Sequence, residues 1–205
     1  DNAFERSMQP EIQVIEHEPL KLVWFSQVVG LDRGIQGFLR ALQPLADLNI
    51  HLSIIGLADE SVQENLKAAL QSPNHILYFE PPVAEEHLLT RLGEHHIGLA
   101  LETGTTRNRQ LCRTNKLFGY PLAGCLTLAS HTRSQAQFMQ QHPNAGVVFD
   151  SDVHLAQQIQ SWADNRSALD QCRKAAWQLG HDSLNWETES EKLVALVDTL
   201  IRDAS

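Results

Sequence analysis

The chain has 205 residues, 42% of them hydrophobic and 20% charged, which is one domain's worth of sequence and too apolar for disorder. Its net charge of -9 excludes wholesale attraction to DNA, RNA or an anionic bilayer, so any phosphate must be held by a local basic site. No apolar run approaches the ~18 residues of a membrane helix, and the opening DNAFERSMQPE lacks a basic region followed by an apolar one, so neither a span nor a signal peptide is expected.

Residues 1–19 are polar and carry Pro10 and Pro19, which reads as a linker or tail before a single domain over residues 20–205. From Lys21 the pattern becomes regular. LVWF predicts a strand, a turn with Gly30, Gly34 and Gly37 follows, and Ile35, Phe38, Leu39 and Leu42 recur at helical spacing. IHLSII then SVQENLKAAL repeats the unit, with Ser61 and Glu64 at the spacing of a capping box. HILYF, VAEEHLLTRL, HIGLALE, TNKLFGYPLAG, CLTLAS, SQAQFMQQ and AGVVFD continue the alternation. Short continuous apolar strands belong to sheets covered on both faces, so the predicted fold is α/β with a doubly wound parallel sheet. After Asp150 the strands stop, and SDVHLAQQIQSWAD and RSALDQCRKAAWQL predict two helices. A last helix places Trp186, Leu193, Leu196, Val197 and Leu200 on one face, a stripe that needs something to lie on.

In such a sheet ligands bind outside the carboxyl ends of the strands. The first loop there, SQVVGLDRG, has glycines for close backbone approach and Arg33 at the mouth of a helix, where an anion is favoured. A plain turn with a solvated Arg fits equally well. The second, RNRQLCRTNK at 107–116, holds four of the chain's sixteen Lys and Arg and no acidic residue. Positive charge just before a helix starting near Thr114 supplies the parts of a phosphate site. Asn108, Arg109, Thr114, Asn115 and Lys116 are its candidates; Thr114 or Asn115 also suits a plain helix cap. Glu102 ends IGLALE at the rim of the same cleft, as a partner for sugar hydroxyls or as an ordinary surface carboxylate. His95 and His96 are adjacent, so on a strand they face opposite ways, and no further ligand is suitably spaced; no metal is expected. Ser26, Ser53 and Ser130 lack a GxSxG setting, so no hydrolase triad is expected. Cys112, Cys125 and Cys172 lack CxxC spacing, which points away from disulfides and structural zinc and towards the reduced cytoplasm.

WFSQVVGLDRGIQGFLRAL, IGLALET with NRQLCRTNKLFGYPLAGCLTLAS, and GVVFDSDVHLAQQIQSWADN together resemble the carboxy-terminal, nucleotide-sugar-binding domain of a GT-B glycosyltransferase, similar to family four. The resemblance covers about residues 20–202 and is most specific at TNKLFGYPLAG. It implies a Rossmann-like domain whose loop Ser26, Gln27, Gly30, Arg33 and Gly34 meets the donor diphosphate, with Gln27 standing where many members have Arg. It likewise implies donor-phosphate contacts from Thr114, Asn115 and Lys116, and a base pocket at Tyr78 through Pro81, including Phe79. The sequence departs from the family's paired glutamates, whose places are taken by Leu111 and Gly119, leaving Glu102 as the nearest carboxylate.

The resemblance therefore implies a hexosyltransferase-type enzyme of polysaccharide biosynthesis, retaining and metal-independent. Its donor is a nucleotide diphosphate sugar and no other cofactor is implied. A carbohydrate or lipid-linked acceptor would be held by an amino-terminal domain outside this chain, and residues such as NAFE would end the connection to it. Glu102, Lys116 and Arg33 are the candidate catalytic residues. The lost glutamates keep open a degenerate domain that only binds a nucleotide or a partner, and an epimerase on the same fold is a third reading.

Overall fold

The computed structural model describes residues 3–16 and 18–203. Asp1, Asn2 and His17 of the expected linker, and Ala204 and Ser205, lie outside the described residues. Six strands form one parallel sheet: β1 (Leu20–Val28), β2 (Ile50–Leu57), β3 (His75–Glu80), β4 (Ile97–Ala100), β5 (Leu126–Ser130) and β6 (Gly146–Phe149). Their order is β3-β2-β1-β4-β5-β6, the doubly wound order with its direction switch between β1 and β4.

The helices are α1 (Ile35–Ala41), α2 (Glu60–Ala69), α3 (Glu85–Gly93), α4 (Arg107–Leu111), α5 (Lys116–Ala123), α6 (Arg133–Gln141), α7 (Asp152–Asp164), α8 (Arg166–Ser183) and α9 (Trp186–Asp203). Alternation along β1 sorts its side chains into two cores. Leu20, Leu22 and Trp24 join α1, α2 and α7 on one face, and Val23 and Phe25 join α3, α5 and α6 on the other.

Three local expectations are corrected by the structure. The Ser61–Glu64 capping box does not form: α2 begins at Glu60 behind Asp59, with no side-chain cap. Ser61 is already helical, and its carbonyl accepts from Asn65 Nδ2 at 2.7 Å, so its hydroxyl sits past the position from which a cap can act. The segment 107–111, expected as loop, is the short helix α4, started by the Thr106 hydroxyl accepting from the Arg109 amide at 3.3 Å. None of its residues is buried, so it leaves no apolar period to read. The stripe on α9 has no cover among the described residues, with Leu193, Leu196 and Leu200 55–61% exposed.

The first segment does more than tether. Phe4 and Ile15 are buried, Trp177 Nε1 donates to the Pro10 carbonyl at 2.8 Å, and the Trp186 amide donates to the Phe4 carbonyl at 2.8 Å. Residues 3–16 thus lie across α8 and the start of α9 and bring Phe4 to α5.

Candidate functional site

The site begins where two strands part. β1 pairs with β4 only at Leu22–Ile97 and Val23–Gly98; beyond that β1 follows β2, while β4 follows β5. The gap at their carboxyl ends is the switch point. Tyr120 pins α5 beneath it: the phenol is fully buried, with its oxygen 3.2 Å from the Val23 carbonyl and 3.0 Å from that of Leu99. Burial away from charge pushes its pKa well up, so it serves as a neutral bridge between β1, β4 and α5.

Pinning α5 delivers Lys116 to the gap. The side chain is 8% exposed and its Nζ lies 5.1 Å from the centres of both the Trp24 and the Phe25 rings. Among the described residues no carboxylate pairs with it. Burial pulls its pKa down to about 8; the charge of Glu102 offsets part of that and the charge of Arg33 adds to it. A buried ammonium with only ring faces for company is a cation held ready for an anion. Two residues before it the Thr114 hydroxyl is buried without a hydrogen-bond partner among the described residues. The Asn115 backbone is helical and its side chain gives α5 no cap; the Leu117 and Phe118 amides donate to the Thr114 and Asn115 carbonyls at 3.1 and 3.2 Å, which leaves the Lys116 amide at the head of the helix to meet an acceptor.

The cavity over these groups measures about 670 Å³ and is lined by Ser26, Gln27, Arg33, Asn115 and Lys116, together with Phe4, Phe25, Pro82 and Val83 among others. Five expected site residues therefore converge. Gly34 borders them in a left-handed conformation, φ +79, that allows the loop after β1 to turn into α1. Gly30 begins the short turn Leu31–Arg33 and carries the same loop.

Other candidates sit elsewhere. The four positive charges of 107–116 do not converge on the cleft. Arg109 Nη1 donates to Glu102 Oε2 at 2.7 Å and its Nη2 to Asp32 Oδ2 at 2.5 Å, Arg113 donates to Gln141 at 3.3 Å, and Arg107 and Asn108 are exposed on α4. Glu102 is not a free carboxylate at the rim: its side chain is 8% exposed and held by Arg109. It lines a small neighbouring cavity of about 160 Å³ with Gly34 and Ser130. Tyr78 and Phe79 line a separate cavity at the outer edge of the sheet, with Tyr78 against His51. β3 is the edge strand, so its side chains stay two strands from the switch point, and it is Pro82, Val83, Glu85 and Leu88, past its end, that border the cleft.

The places of the paired glutamates are filled differently. Leu111 is 50% exposed at the end of α4, and a Cβ on Gly119 would lie 2.8 Å from Phe4 Cε2. Phe4 occupies the space above that position. The sequence offered no signal for this contact, because it joins residues 115 positions apart. The Pro81–Pro82 doublet was the one readable sign of the wall after β3.

His95 and His96 are both buried. His95 donates through Nδ1 towards the Arg91 and Leu92 carbonyls, and the Lys21 amide donates to His96 Nδ1 at 3.0 Å. Burial, with nearby Arg91 and Arg173 respectively, pulls their pKa values down to about 4 and about 3. They are neutral parts of the amino-terminal edge of the sheet.

Residues 36–195 match a family described as glycosyl transferase-like. The chain belongs to that family. No curated protein matches it significantly. Solved structures similar to this glycosyl transferase-like chain include an O-GlcNAc transferase from Thermobaculum terrenum, at 13% identity and TM-score 0.59 over 88% of this chain and 36% of that one. An α,α-trehalose 6-phosphate synthase from Burkholderia multivorans matches at 12% identity and TM-score 0.62, over 92% and 44%. An α-glucosyltransferase in complex with UDP and DNA matches at 11% and 0.64, over 95% and 56%. At these identities the likeness shows the fold, which is that of a Rossmann-like GT-B domain. The chain spans about a third to a little over half of these proteins' lengths. No helix among the described residues is long and apolar enough to cross a membrane.

Proposed function

We propose that this glycosyl transferase-like chain is the donor-binding domain of an enzyme that moves a hexosyl group from a nucleoside diphosphate sugar to a carbohydrate acceptor held by a further domain. The observation that carries the reading is Lys116, a buried cation without a carboxylate partner, facing a cavity that it shares with Arg33 and an uncapped helix start. Charge of that sign and burial stabilises a diphosphate as it departs and gathers negative charge, which is the main demand of sugar transfer from such a donor. Support also comes from the α-glucosyltransferase of the same fold whose structure holds UDP. Retention, which the resemblance carries, and independence from divalent metal, for which Lys116, Arg33 and the Lys116 amide would supply the positive charge, belong to the same proposal.

A second reading, a domain that binds the nucleotide without transfer, is favoured by one observation: Phe4 fills the space above Gly119 where a family glutamate would stand. Calorimetric titration with a panel of nucleoside diphosphates in EDTA tests the shared claim. Binding under those conditions is expected; binding that requires added magnesium sinks the metal-independent site. Transfer activity of the longer enzyme then separates the two readings.

A further inference from the structure

β3 ends one side of the sheet. It pairs with β2 along its whole length and has no strand beyond it among the described residues, so one row of its backbone N–H and C=O groups points outward. Strand edges of this kind are ordinarily blunted by lysine, proline, a bulge or sheer shortness. β3 has none of these: it runs six residues, HILYFE, in unbroken register. β6, at the opposite side, has four residues and begins with glycine. On β3 Leu77 and Phe79 turn to the core on the α2 side, while Ile76 and Tyr78 are 40% and 43% exposed.

The edge has room at both faces. A concavity of about 690 Å³ borders it, lined by Gln63 and Lys67 of α2 on one side and by Arg91 and Glu94 of α3 on the other. In a chain of net charge -9 this lining is not acidic, because Lys21, Lys67 and Arg91 stand against Glu80 and Glu94. Arg91 holds Glu80 with two nitrogens, at 2.8 and 2.7 Å. Repulsion between two acidic copies is therefore weakest here.

We propose that β3 pairs antiparallel with β3 of a second copy, joining the two sheets into one across a two-fold axis. Directly opposite residues of an antiparallel pair share a face, which leaves few registers. Centred on Leu77, the pairing sets Ile76 against the partner's Tyr78 and Tyr78 against the partner's Ile76. The two exposed apolar side chains then cover each other. Centring it on Tyr78 would set Ile76 against the partner's Glu80, and centring it on Ile76 would set Phe79 against the partner's Pro73, which has no N–H to offer.

α2 supplies an independent match. Lys67 Nζ lies 5.5 Å from the centre of the Phe79 ring, so α2 stands over β3, and a strand added about 4.8 Å away brings the two α2 helices side by side. Glu60, Gln63, Glu64 and Lys67 form one stripe at helical spacing, and both carboxylates and the lysine are exposed. The two-fold runs these helices antiparallel, which carries each Lys67 towards the partner's Glu60 and Glu64. The inference rests on the fold and not on the donor-binding reading.

Sedimentation equilibrium of the chain tests it. A dimer is expected, and Ile76→Lys and Lys67→Glu are each expected to raise its dissociation constant at least tenfold. Both positions are exposed, and circular dichroism checks the fold. Adding Glu60→Lys and Glu64→Lys to Lys67→Glu reverses the stripe as a whole and is expected to restore the parent's dimer. A chain that stays monomeric up to its solubility limit overturns the proposal, as does a dimer that ignores Ile76→Lys and dissociates on Leu196→Glu, which would place the contact on α9. A dimer that Lys67→Glu weakens and the full reversal does not restore overturns the two-fold arrangement.

Discussion

Arg109 and Glu102 form a pair at 2.7 Å in which both side chains are largely withdrawn from water, 19% and 8% exposed. Through its other terminal nitrogen Arg109 also holds Asp32 at 2.5 Å. One guanidinium therefore ties the end of β4 to the loop after β1, across the switch point, and the hydrogen bond to Glu102 raises the arginine's pKa.

A partly buried, hydrogen-bonded ion pair leaves a costly orphan when one member goes. A double-mutant cycle on Glu102→Gln and Arg109→Leu, read by denaturant unfolding, is expected to give a coupling on the order of 1–3 kcal/mol. Effects that add to within about 0.5 kcal/mol would show the pair to be incidental. In the longer enzyme Glu102→Gln is expected to lower turnover at least tenfold, about 1.4 kcal/mol of transition-state stabilisation, because it releases Arg109. Turnover equal to the parent's contradicts this.

Gly119 is under Phe4, and a Cβ there meets the ring at 2.8 Å. Gly119→Ala is expected to destabilise by about 1–3 kcal/mol, as overpacking in a tight core does, and to lower Tm by roughly 2–4 °C per kcal/mol in a chain of this size. Adding Phe4→Ala should remove the clash, so that the two losses sum to more than the double variant loses. Strict additivity would mean that the ring does not rest on that glycine.

His95 and His96 have folded pKa values near 4 and 3 against an ordinary 6.5. The unfolded chain therefore binds more protons than the native one below about pH 6.5, and stability falls as pH drops from there towards 3–4, by up to about 1.4 kcal/mol per pH unit for each group. Between pH 7 and 9 these two contribute no slope. Unfolding free energies measured from pH 7 to 4 should fall, and less steeply in His96→Gln; an identical slope in that variant contradicts the assignment.

Lys116 supplies a pH dependence of the opposite kind, in binding rather than folding. Its free-state pKa is about 8, and a diphosphate selects the protonated form. Affinity should be nearly constant below pH 7 and weaken by about tenfold per unit well above pH 8. Lys116→Arg keeps its charge throughout this range, so its profile should be flat apart from titration of the nucleotide itself. Parallel profiles in the two proteins would place the phosphates away from Lys116.

Much of this was legible in the sequence because short continuous apolar strands alternating with helical periods leave few other topologies open. All six strands, and Ser26, Gln27, Arg33, Asn115 and Lys116 as neighbours, follow from that alternation and the rule that ligands gather at the carboxyl edge. What could not be read depended on direction and distance. The basic run 107–116 looks like one cluster in one dimension, yet α4, the link after it and the start of α5 send Arg109, Arg113 and Lys116 to three different places. Phe4 sits in a polar stretch with no period, and its burial is decided by the α5 surface it happens to meet. Tyr78 was near the right strand end by number, but the strand order puts β3 at the edge.

The most direct measurement is a crystal structure of the chain grown with a nucleoside diphosphate in EDTA. The account predicts the β-phosphate in the cleft between β1 and β4, with oxygens about 2.7–3.2 Å from Lys116 Nζ, the Thr114 hydroxyl and the Lys116 amide that opens α5. A nucleotide bound instead at the outer-edge cavity beside Tyr78 and His51, with the cleft left to solvent, would contradict it.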